Sequence, residues 1–90
     1  MPEVVMYCTA RCGYCRFADA LLSAKGVSAT KIWVDREPER YDEMVQRARR
    51  STVPQIFIGE RHIGGYTDLA ALESAGELDV LLAGSGPAPV

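Results

Sequence analysis

Two cysteines three positions apart, in Cys12-Gly13-Tyr14-Cys15, constrain this chain more than any other feature. They can close a disulfide only where the backbone bends as a helical turn does. On a helix, residues i and i+3 share a face with Cβ atoms roughly 5 to 6 Å apart, within a small adjustment of disulfide geometry. The spacing suits a bond that opens and closes, so reversible thiol chemistry is the first reading of function. The neighbouring residues support a helix start here. Glu3 to Cys8, rich in Val, Met and Tyr, reads as a buried strand. Tyr14, Phe17, Ala18, Leu21 and Leu22 recur at helical spacing, and Lys25-Gly26 provides a stop. Cys12 is thereby expected at a helix N-terminus.

Thr30 to Val34 reads as a second strand. The resulting strand-helix-strand unit should have parallel strands and a right-handed connection, which places the chain in the α/β class. Pro38 suits the first turn of another helix, with Tyr41, Met44, Val45 and Ala48 on its apolar face. Pro54 to Ile58 and Arg61 to Ile63 read as short strands joined by Gly59-Glu60, after which Gly64-Gly65 is expected to break the sheet. Thr67 is expected to cap a helix carrying Leu69 and Leu72, and Gly76 to stop it before a short Leu78, Leu81, Leu82 stripe. Gly84 to Val90 has no core-forming pattern. One domain over 1–83 followed by a flexible tail over 84–90 is the expected organisation.

Composition narrows the chemistry. Ninety residues make one core and one site, and 48% hydrophobic with 24% charged residues is an ordinary globular balance. A net charge of -2 argues against nucleic-acid and membrane partners, which need a large basic excess. Three cysteines are an odd number, the start Met1-Pro2-Glu3 is acidic, and the apolar run Val4 to Cys8 is too short for a secretory leader. A structural disulfide framework is therefore not expected. In a reducing cytoplasm a close dithiol is catalytic or metal-binding. Zinc would need two more ligands, for which only Cys8 and His62 stand in view, and His62 in a hairpin strand reads as a surface residue. Hydrolase chemistry would need a histidine base, and nothing places His62 near Cys12.

A cysteine at a helix N-terminus meets unpaired N–H groups and the positive end of the dipole, and Arg11 and Arg16 add charge nearby. A lowered Cys12 pKa is expected. Its main benefit is leaving-group quality, because nucleophilicity falls as thiolate population rises. Cys12 is thus the expected nucleophile, and Cys15, one turn further in, the resolving thiol. Cys8, inside the first strand, reads as a buried small hydrophobe.

With strand, turn and dithiol in place, the chain resembles the glutaredoxins over nearly its whole length. The resemblance rests on Tyr7 with Cys12-Gly13-Tyr14-Cys15, on Thr52-Val53-Pro54-Gln55-Ile56-Phe57-Ile58, and on Gly64-Gly65 followed by Asp68-Leu69. It implies a thioredoxin-like fold, a four-stranded mixed sheet flanked by helices, and glutathione-dependent reduction of protein disulfides and protein-glutathione mixed disulfides in the cytoplasm by a monomer. It also implies a cis Val53-Pro54 bond facing the dithiol, and assigns glutathione binding to Tyr14, Thr52, Val53, Pro54, Gly65, Thr67 and Asp68. In that assignment Thr67 and Asp68 hold the γ-glutamyl end. Two positions depart from the family pattern. Thr9 stands where many relatives carry Lys for the glycyl carboxylate. Arg11 or one of Arg47, Arg49 and Arg50 could replace that charge, although the three read first as a solvated face at a helix C-terminus. Gly13 replaces a commoner Pro. Relatives with a small residue there include members that hold a 2Fe-2S cluster between two monomers, through the first cysteine (here Cys12) and bound glutathione, so a cluster-bridged homodimer is one alternative. A thioredoxin-reductase-dependent redoxin without a glutathione site is the other.

Overall fold

A computed structural model describes residues 2–84. Its elements are β1 (Val4–Cys8), α1 (Gly13–Ala24), β2 (Thr30–Trp33), α2 (Pro38–Ala48), β3 (Gln55–Ile58), β4 (Arg61–Gly64), α3 (Tyr66–Ser74) and α4 (Leu78–Leu82). The four strands form one sheet in the order β2-β1-β3-β4. β1 and β2 are parallel with Cys8 opposite Trp33, as the strand-helix-strand pattern demands, while β1 with β3 and β3 with β4 are antiparallel. The mixed four-stranded sheet flanked by helices is the thioredoxin-like architecture.

Strand alternation divides the core in two. Val4, Met6 and Cys8 point to one face, where Ile56, Ile58 and buried residues of α1, α3 and α4 cover them. Tyr7 points to the other face, where Phe57 and α2's Met44 and Ala48 enclose it. Leu22 and Met44 are fully buried at the centres of these two layers. Truncating a core side chain of that size to Ala costs about 2–5 kcal/mol. Tyr7 keeps its hydroxyl satisfied by donating to Glu43 and accepting from Arg47 Nη1 at 2.6 Å, while the Arg47 guanidinium lies 4.2 Å from the Phe57 ring centre.

Several local expectations change. The buried stripe of α1 is Cys15, Ala18 and Leu22, whereas Tyr14 and Phe17 are 59% and 56% exposed. They lie against Tyr66 in a surface aromatic cluster instead of in the core. Gly64 does not break the sheet but ends β4, opposite Ile56 across a bulge that also skips Ile63. α3 starts at Tyr66, and its cap lies two residues before Thr67. Gly65 is its N-cap, and the first helical bond runs from Leu69 N–H to Gly65 O. Of the expected tail, residues 85–90 lie outside the described residues. No helix among the described residues is long and apolar enough to cross a membrane.

Candidate active site

Cys12 is the N-cap of α1, with extended backbone (φ -100°, ψ 112°), and its sulfur accepts the Cys15 N–H at 3.1 Å. Sulfur here does what Ser or Asp oxygen does at most helix starts. The approach loop is tied down by Asp35, which accepts the Ala10 N–H at 3.2 Å. Cys12 is half-buried, Cys15 is buried beside it, and all three cysteines are free thiols.

The expected lowering of the Cys12 pKa is not found in this reduced state. Burial and a hydrogen bond to the Cys15 thiol hold Cys12 above its ordinary value, against the pull of the Cys15 and Tyr14 N–H groups. Its side chain packs against the apolar core, so desolvation of the thiolate outweighs the helix N-terminus. Cys15 is pushed up far more strongly, by its hydrogen bond to Cys8 and by burial. The expected order survives, with Cys12 the more acidic of the pair. Cys8 is 1% exposed, as a buried hydrophobe should be, yet its thiol accepts from Cys15, which lowers its pKa.

A groove of about 350 Å³ runs beside the dithiol. One wall is the loop before β3, where the Val53–Pro54 peptide is cis and the Val53 carbonyl accepts a long hydrogen bond from the Cys12 thiol at 3.8 Å. That loop is held from inside the protein. Gln55 is fully buried, its Nε2 donates to Thr52 O (3.0 Å) and Thr52 Oγ1 (3.2 Å), and its Oε1 pairs with His62 Nε2 at 2.7 Å.

The opposite wall is the first turn of α3, where the N–H groups of Tyr66, Thr67 and Asp68 precede the first intrahelical bond. Asp68 Oδ2 accepts the Gly65 N–H and Arg50 Nη1, both at 2.9 Å. Those two bonds, the Gly65 amide first, hold its carboxyl below the usual range. The groove therefore offers amide donors, a carboxylate and a guanidinium along one side, with the Thr52–Pro54 loop on the other. An elongated zwitterion carrying a thiol matches that arrangement.

The glutaredoxin sequence profile matches residues 4–63. A glutaredoxin of Pseudomonas aeruginosa is 54% identical over 82 residues, which cover 91% of this chain and 98% of that protein. The chain belongs to the glutaredoxin family. Glutaredoxin 3 of Escherichia coli is 49% identical over 82 residues, covering 91% of this chain and 99% of its own length. Among solved structures, a buckwheat glutaredoxin-glutathione complex superposes with a TM-score of 0.85 at 27% identity, covering 96% of this chain and 83% of that one. As a glutaredoxin the chain is a glutathione-dependent thiol oxidoreductase.

Within this glutaredoxin, Tyr14, Thr52, Val53, Pro54, Gly65, Thr67 and Asp68 all line the one groove. Arg50 and Tyr66 line it too. The sequence offers Arg50 only as one of four arginines that could replace the absent lysine, and does not mark Tyr66 as a site residue. The position of Arg50 two residues before Thr52 was the available signal. Arg47 departs from the expected solvated face as well, since it hydrogen-bonds Tyr7. Thr9 lines a separate, smaller cavity rather than the groove. His62 is half-buried and hydrogen-bonded to Gln55, not a plain surface residue.

Proposed function

We propose that this protein reduces protein-glutathione mixed disulfides and protein disulfides, with glutathione as reductant, in the cytoplasm and as a monomer. The observation that carries the reading is the groove lined by Val53, the α3 N-terminus and Asp68, which adjoins Cys12 where the Cys12 thiol donates to the Val53 carbonyl at 3.8 Å. In the first step the Cys12 thiolate attacks the glutathione sulfur of a mixed disulfide and expels the substrate thiolate. The glutathionyl backbone pairs with Val53, its γ-glutamyl carboxylate meets the Thr67 and Asp68 N–H groups, and its ammonium faces the Asp68 carboxylate. Arg50, 2.9 Å from Asp68, is the cation at the γ-glutamyl end of the groove.

In the second step a glutathione thiolate attacks the glutathione sulfur on Cys12, giving oxidised glutathione and returning the Cys12 thiolate. The Cys15 N–H, 3.1 Å from the Cys12 sulfur, stabilises that leaving charge. Cys15 serves protein disulfides. It attacks Cys12 in a mixed disulfide with the substrate and releases the second substrate thiol, leaving Cys12–Cys15 oxidised. A raised Cys15 pKa makes this branch the slower one at neutral pH.

The test is turnover of a glutathionylated peptide with glutathione, comparing the native protein with Cys12→Ser and Cys15→Ser. Retained turnover in Cys15→Ser and its loss in Cys12→Ser are expected. Activity supported by a thioredoxin reductase, with none from glutathione, would overturn the proposal.

A cluster-bridged homodimer is the second reading, favoured by one observation. Space around Gly13 is open, with nothing within 4 Å of a built Cβ, beside the half-buried Cys12. Cys12 would be this chain's ligand to a 2Fe-2S cluster, which would keep that thiol from exchange. Visible absorption after anaerobic reconstitution with iron, sulfide and glutathione tests it, and a colourless protein rejects it.

A further inference from the structure

The third thiol has no part in either step above, yet it sits against the dithiol. Cys8 is the last residue of β1 and points, like Val4 and Met6, to the face that α1 covers. Cys15 lies on the covered face of α1 with Ala18 and Leu22. The two side chains therefore face each other between strand and helix, within one buried cluster. A cavity of about 180 Å³, separate from the glutathione groove, is lined by Cys8, Cys12 and Cys15 together, with Arg16, Lys31 and Trp33 around them. Cys15 is thus placed between two thiols, one toward the surface and one toward the core.

We propose that Cys8 is a second exchange partner of Cys15, so that the oxidised protein isomerises from a Cys12–Cys15 to a Cys8–Cys15 disulfide. The inference rests on the dithiol chemistry proposed above, which supplies the Cys12–Cys15 bond. The Cys8 thiolate attacks Cys15 Sγ, the Cys12–Cys15 bond breaks, and the electron pair leaves on Cys12, which takes up the proton that Cys8 gave. One disulfide is lost and one formed, and no oxidant or reductant is consumed.

Once Cys15 is in the disulfide it has no S–H to donate, so the Lys31 charge is what favours the Cys8 thiolate, against burial. The Cys12 leaving group keeps the N–H donors of Cys15 and Tyr14. The product hides the disulfide in the core and frees the Cys12 thiol beside the Val53 wall of the groove. An oxidised protein in that state still attacks glutathione mixed disulfides through Cys12.

Tryptic mapping separates the two isomers, because cleavage after Arg11 and Arg16 puts Cys8 on one peptide and both Cys12 and Cys15 on another. The protein is oxidised with one equivalent of diamide, acid-quenched, alkylated with N-ethylmaleimide and digested. A Cys12–Cys15 bond leaves the second peptide closed on itself with label on Cys8. A Cys8–Cys15 bond joins the two peptides with label on Cys12. Joined peptides in the native protein and in Cys12→Ala, absent from Cys8→Ala/Cys12→Ala, are expected. Label confined to Cys8 in the native protein, together with two free thiols in folded Cys12→Ala, would overturn the proposal. Diamide needs no glutathione, so failure here is distinct from failure of the glutathione reaction.

Discussion

Replacing Gly64 by Ala perturbs the groove from beneath, through Asp68 and Arg50, at a residue that does not itself line it. Gly64 is buried at the end of β4 with φ +114°, a backbone conformation that L side chains rarely adopt. Holding a non-glycine residue there costs about 1–3 kcal/mol. A Cβ built on Gly64 would also stand 2.9 Å from Asp68 Cγ, closer still to Asp68 Oδ2, and 3.0 Å from Arg50 Nη1.

The Asp68 carboxylate must therefore move, and with it go the 2.9 Å bond from the Gly65 N–H and the 2.9 Å pair with Arg50. Losing a helix cap costs about 0.5–2 kcal/mol, and losing a half-exposed ion pair about 0–1 kcal/mol. The sum is roughly 1.5–6 kcal/mol, which for a domain of this size lowers Tm by roughly 6–48 °C. Thermal unfolding followed by circular dichroism measures it directly. In an Asp68→Ala background the cap and ion pair are already gone, so the cost of Gly64→Ala should fall to the backbone strain alone, a coupling of about 0.5–3 kcal/mol. A Tm decrease under about 4 °C, or equal cost in both backgrounds, would refute the reasoning.

Three further outcomes are expected. In Cys15→Ala the Cys12 pKa should fall, because the thiol hydrogen bond that raises it is gone while backbone N–H donors remain; the pH dependence of iodoacetamide reaction, compared with native protein, reads the shift. Tyr7→Phe removes a buried hydroxyl that serves both Glu43 and Arg47, and should cost about 1.5–3 kcal/mol in urea unfolding, the range for hydrogen bonds to charged groups. Asp68 has a folded pKa below its unfolded value, so its contribution is full above about pH 4, the unfolded carboxyl range, and is lost as pH falls through the lowered folded value. The difference in urea midpoint between native protein and Asp68→Asn should accordingly be constant from pH 7 to 5 and shrink under pH 4.

Strand and helix identities were legible because their periods are carried by several residues at once. Pro38 began α2 and Gly76 preceded α4 as the local chemistry required. The stripe of α1 was not legible, because counting large apolar residues favours Tyr14 and Phe17, whereas the helix buries the smaller Cys15 and Ala18 against β1. The cap of α3 is Gly65 rather than Thr67 because Asp68, three residues on, binds the Gly65 N–H; the side chain that fixes the turn lies inside it.

Of the groove, motif residues could be named in advance, but the groups holding them could not. Gln55 looks like any polar residue in a strand, and only its full burial and bonds to Thr52 and His62 show it bracing the loop. Arg50 joins the site through a contact with Asp68, eighteen positions away, which no local pattern encodes. The thiol pKa order followed from position on the helix, whereas the upward shift of Cys12 depends on burial and on the rotamer of Cys15.

The central claim is that Cys12 takes up glutathione within the groove between Val53 and Asp68. Its most direct measurement is the product of Cys15→Ser with oxidised glutathione, located by peptide mass spectrometry and followed by amide NMR shifts. A single glutathione on Cys12, with the largest shifts at Val53, Thr67 and Asp68, is predicted. An adduct on Cys8, or a Cys12 adduct that leaves those three amides unmoved, would contradict the account.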